Sequence, residues 1–137
     1  MSQKAIRAAI ETALSDWAQG LEYPVAWENS QFTPAAGQTW LRFSMLPANT
    51  RSDDLSGDHR AYTGVVQIDV FMPSGTGPGA GAELVGELEA LYPASTYLEG
   101  EGVSVLIQTP LSVGPAQADE SWWVIPCSFT YRVDSII

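Results

Sequence analysis

Three sets of residues in this chain have side-chain types that support chemistry, and each is limited by its spacing. Gly77, Gly79 and Ala82 follow G-x-G-x-x-A spacing between an alternating apolar segment and a helical one, the arrangement that seats a pyrophosphate on a helix N-terminus. Glu83 and Glu87 crowd that same helix start, no basic residue is near, and no repeated strand–helix–strand pattern surrounds it. The run therefore reads as a glycine turn.

His59, the single histidine, stands beside Asp53, Asp54 and Asp58, residue types that bind hard cations. The acidic positions do not alternate, and no fixed glycine and closing glutamate complete a calcium loop. One His and one Cys are too few for a structural zinc site or a Cys/His nucleophile pair, and no G-x-S-x-G elbow occurs. Sixteen acids and five Trp supply the types for a carboxylate-based hydrolase, but spacing does not say which carboxylates face each other. The reading is of a chain with no catalytic residue, no metal and no cofactor.

The elements carrying these residues follow from hydrophobic period. Ile6, Ile10, Ala13, Leu14 and Trp17 fall at helical spacing, which predicts an amphipathic helix over residues 1–20, with Ser2 as N-cap and Gly20 as terminator. Its charges oppose the macrodipole, with Lys4 and Arg7 early and Asp16 late. A short apolar piece lies at 23–29, and Leu41, Phe43 and Met45 alternate in a strand over 39–46. Residues 47–61 are polar and turn-rich, and read as an exposed, mobile loop.

Val66, Ile68, Val70 and Met72 alternate with Gln67 and Asp69 in a central strand over 62–72, which Pro73 ends. A second helix is predicted over 80–92 from Leu84, Leu88 and Leu91. Val103, Val105 and Ile107 mark another strand, 109–120 a loop, and 122–133 a long last strand in which Pro126 argues for an edge or a bulge. The order predicts an α+β fold in one domain, 1–137, with two helices on one face of a mainly antiparallel sheet.

Composition narrows function further. Six basic against sixteen acidic side chains give a net charge of −10, which repels a nucleic-acid backbone and serves solubility. Cys127 lies in the apolar alternation Trp123, Ile125, Cys127, Phe129, Tyr131, a small core hydrophobe rather than a reactive thiol. No apolar run reaches the ~20 residues of a membrane helix, and the expectation is of a protein made in a reducing cytoplasm. Trp122 and Trp123 are adjacent on a strand, so one ring points outward; Trp40 lies opposite Leu41, Phe43 and Met45. An exposed Trp suits a subunit interface or a sugar platform.

Ala26-Trp27-Glu28-Asn29, Phe32, Pro34, Leu41-Arg42 and Leu46-Pro47-Ala48 resemble the phage tail-terminator-like family. The later segments also resemble it, in the same order: 66–73, 75–79, Ser121-Trp122-Trp123-Val124-Ile125-Pro126 and Tyr131-Arg132. The resemblance implies a structural subunit of the virion tail, made in a bacterial host. Such subunits form a ring, a hexamer, on the last ring of the tail tube, stop its growth and offer a face to the head-completion or connector protein. DNA passes through the lumen without specific binding, and no membrane is involved. On this reading ring contacts use Trp40, Trp122 or Trp123, while Arg51, Asp53, Asp54, His59 and Arg60 meet a neighbouring ring. The alternatives are a neck or head-completion subunit and a carbohydrate-binding module.

Overall fold

The structure, a computed structural model, describes residues 3–52 and 57–136. Ser2, Asp53 and Asp54 lie outside that range, so the cap and the two acids predicted for the loop have no structural account. Helix α1 (Gln3–Gly20) buries Ile6, Ile10, Leu14 and Ala18, a stripe at four-residue spacing with Ala13 and Trp17 half-buried beside it. Each large member contributes roughly 1.5–3 kcal/mol by leaving water. Beyond Gly20, Tyr23 N–H returns to the Ala18 carbonyl at 2.9 Å while Glu22 takes a φ of 60°. The basic residue set against the dipole has a use: Arg7 Nη1 pairs with Glu28 at 2.6 Å and Glu11 at 3.3 Å.

Strands β1 (Val25–Ala26), β2 (Trp40–Pro47), β3 (His59–Pro73), β4 (Tyr97–Gly100), β5 (Val103–Ile107), β6 (Ser112–Val113), β7 (Gln117–Asp119) and β8 (Trp122–Ile136) make one sheet with the order β1-β2-β3-β8-β5-β4. Strands β6 and β7 pair with β8. The sheet is mixed, because β1 runs parallel to β2; the other pairings are antiparallel. Helix α2 (Gly79–Leu91) places Leu84, Val85 and Leu88 in one core with the α1 stripe, Leu41, Phe43, Ile68, Cys127 and Phe129. Both helices therefore lie on one face, as the periodicity predicts.

Four expectations need correction. Residues 47–61 are not all loop: β2 runs to Pro47, β3 starts at His59, and Arg51 and Ala61 exchange backbone hydrogen bonds at 3.0 and 2.7 Å. The 109–120 loop holds β6 and β7, two- and three-residue strands too short to show a period. Strand β4 went unread because Tyr97, Leu98 and Glu99 are exposed or half-buried and do not alternate cleanly. Pro126 sits in a strand paired on both sides, opposite Asp69. Its carbonyl accepts from Gly114 N–H at 2.8 Å, so its backbone points into the gap between β6 and β7, where no donor is required.

Candidate functional site on the uncovered sheet face

Alternation along β2, β3 and β8 sends Leu41, Ile68 and Cys127 to the helices and Trp40, Arg42, Asp69, Phe71 and Trp122 to the other face. Among the described residues no helix covers that second face. Register aligns its rows: Trp40, Phe71 and Val124; then Arg42, Asp69 and Pro126; then Leu46, Val65 and Thr130.

The aromatic row is packed rather than open. Trp40 is only 9% exposed. Phe71 stacks on it with ring centres 3.9 Å apart, Phe32 lies at 5.0 Å, and half-buried Trp122 meets it edge-on at 5.8 Å. Among the described residues the buried indole Nε1 of Trp40 has no hydrogen-bond partner, an arrangement that costs about 1–3 kcal/mol.

The polar row was not foreseen. Asp69, read from the alternation as lying opposite the core, is 3% exposed. Arg42 Nε and Nη2 donate to its Oδ2 at 3.1 and 2.7 Å, and Gln67 Nε2 donates to Oδ1 at 3.1 Å. The Arg42 guanidinium also lies 5.0 Å from the Phe71 ring centre, within cation–π range. Its side chain remains 52% exposed, so this row presents a positive centre to solvent over a buried carboxylate. Beyond it, Leu46 is 55% exposed. Opposite charges at non-core positions of two strands are the only sequence signal for this pair, and reading it requires the register.

The remaining predicted residues are dispersed. Trp123 turns to the helix side, half-buried against the core, and lines a cleft of about 360 Å³ with Gly75, Thr76, Gly77 and Pro78. Arg51 is exposed, and His59 and Arg60 lie at the start of β3. His59 Nε2 is 2.8 Å from Asp134 Oδ1, and Arg60 Nη1 donates to the carbonyls of Gly57 and His59. Phe71 lies twelve residues beyond His59 along β3, roughly 40 Å, so the arginine-bearing end and the Trp40–Trp122 cluster are different surfaces. Arg132 on β8 clamps Asp134 with Nε and Nη2, each at 2.9 Å. That bond, with His59 assisting against the opposing effect of burial, pushes the Asp134 carboxyl down to about 2.

Little of this arrangement supports bond-making chemistry. Burial pushes the Cys127 thiol up to about 12, where it is neither a nucleophile nor a ligand. Among the described residues no three His, Cys, Asp or Glu side chains converge on a metal position, and no helix is long and apolar enough to cross a membrane. What the site offers is a mixed apolar and cationic face suited to another macromolecule.

No protein of curated function matches the chain. A solved structure of a protein bearing only a serial designation superposes with a TM-score of 0.83 at 42% identity, covering 97% of this chain and 96% of that one. The profile of the family described as phage tail terminator protein matches residues 5–131. The chain belongs to the phage tail terminator family.

Proposed function

We propose that this tail protein assembles with copies of itself into a six-membered ring that caps the tail tube, stops its growth and presents a face for joining the head. The observation that carries the reading is the sheet face that no helix covers among the described residues, where half-exposed Arg42 and exposed Leu46 lie in successive rows beside a packed aromatic row. An antiparallel sheet can leave one face to water, but a ring subunit buries surface on two sides, and a face with exposed apolar and cationic residues suits that use. The partners are then the chain itself, the tail tube protein and the connector protein, with Arg51, before β3, and His59 and Arg60, at its start, turned toward an adjacent ring. A net charge of −10 lets DNA pass a lumen without adhering.

Electron microscopy of lysates from a phage lacking this gene tests the role. Overlong tails that regain normal length when the wild-type chain is supplied support it. Finished heads and finished tails of normal length that fail to join would instead assign the chain to the neck.

A further inference from the structure

The uncovered face has a complement on the opposite side of the same molecule. Helix α2 turns Ala82, Gly86 and Ala90 outward at four-residue spacing, all exposed, and a side chain at Gly86 would meet nothing within 4 Å. Glu83 and Glu87 border this stripe on one side and Glu89 on the other, all exposed, and no basic residue occurs on the helix. A helix with small outward residues lets a sheet approach closely. The lengths agree: Ala82 to Ala90 spans about 12 Å of helix, and Arg42 to Leu46 about 13 Å of strand.

Charge restricts how two copies at −10 can meet, since most pairings of their surfaces are repulsive. Arg42 is a positive centre on the uncovered face, and among the described residues its Nη1 has no partner. Glu83 and Glu87 supply the matching negative charge. We infer that α2 of one copy lies on the uncovered sheet face of the next, its small stripe over Leu46 and Val65 and a glutamate on Arg42. This deepens the ring reading and rests on it. Because the two surfaces lie on opposite faces of one subunit, the contact is head-to-tail and repeats, closing into a ring when the rotation per step allows.

Two variants at exposed positions test the contact. Gly86→Trp blocks α2 and leaves the sheet face intact; Leu46→Glu does the reverse, and circular dichroism with thermal melts confirms that both fold. Light scattering after size exclusion should show wild-type mass growing with concentration, each variant monomeric at the same concentrations, and their equimolar mixture forming a species of twice the subunit mass. Only a head-to-tail contact yields that rescue, because the mixture retains one complete interface. A wild-type chain monomeric into the millimolar range, a variant that assembles like wild type, or a mixture that stays monomeric overturns the inference. None of these results bears on tail length in the gene-deficient phage, so the two readings fail separately.

Discussion

Arg42 and Asp69 face each other across β2 and β3, and the exposed member of the pair holds the buried one. Both bonds from Arg42 reach one oxygen of Asp69, at 3.1 and 2.7 Å, while Gln67 takes the other at 3.1 Å. The carboxylate is thereby satisfied on a face without a helix, and the guanidinium is fixed over Phe71 as a positive centre of defined position.

Removing the arginine leaves a buried carboxylate with one neutral donor. Arg42→Met should lower stability by about 2 kcal/mol, below the usual loss for a broken buried pair because Arg42 itself is half in water. Adding Asp69→Asn should recover part of that loss. Urea denaturation of the two variants measures it, and a single variant as stable as wild type would mean that Gln67 alone satisfies Asp69.

Glycine has opposite roles at two positions. A side chain on Gly64 would stand 2.6 Å from Tyr131 Oη and 2.8 Å from the Leu46 carbonyl, and that carbonyl belongs to backbone that cannot yield. Gly64→Ala should cost about 1–3 kcal/mol through overpacking. Gly86→Ala, on an open helix face, should stabilise by roughly 0.5–1 kcal/mol. Thermal melts of the pair should move in opposite directions.

Two fully buried tyrosines differ in their hydroxyls. Tyr92 Oη donates to the Ile10 carbonyl at 3.0 Å and ties α1 to the end of α2, whereas Tyr131 Oη has no partner among the described residues. Tyr92→Phe should cost about 1 kcal/mol, and Tyr131→Phe should be neutral or stabilising, since it removes an unsatisfied polar atom. Equal losses in chemical denaturation would contradict that assignment.

The core was legible in the sequence because period reports burial: Ile6, Ile10 and Leu14, or Val66, Ile68 and Val70, repeat at helix and strand spacing and are fully buried. The uncovered face was not, because it depends on what lies beside each residue across strands. Trp40 was readable as facing away from the core, but its burial comes from Phe32 in the preceding loop and from Phe71 and Trp122, which are distant in sequence. Asp69 looks like a solvent residue in any strand pattern until Arg42 is placed opposite it. Pro126 argued for an edge because sequence does not show that its neighbouring strand is broken into β6 and β7.

Acid should weaken the far end of the β3–β8 ribbon before the core. Arg132 holds the Asp134 carboxyl from its ordinary 3.8 down to about 2, with His59 contributing and burial opposing. Because the folded value lies below the unfolded one, this stabilisation is complete above about pH 4 and is lost as pH falls through about 2. Asp134 is half-exposed, so solvent screening limits the effect to under about 1 kcal/mol. Stability measured from pH 5 to pH 2 should fall more steeply for wild type than for Asp134→Asn. Parallel curves would show that the clamp is as well made in the unfolded chain, or broken by solvent in the folded one.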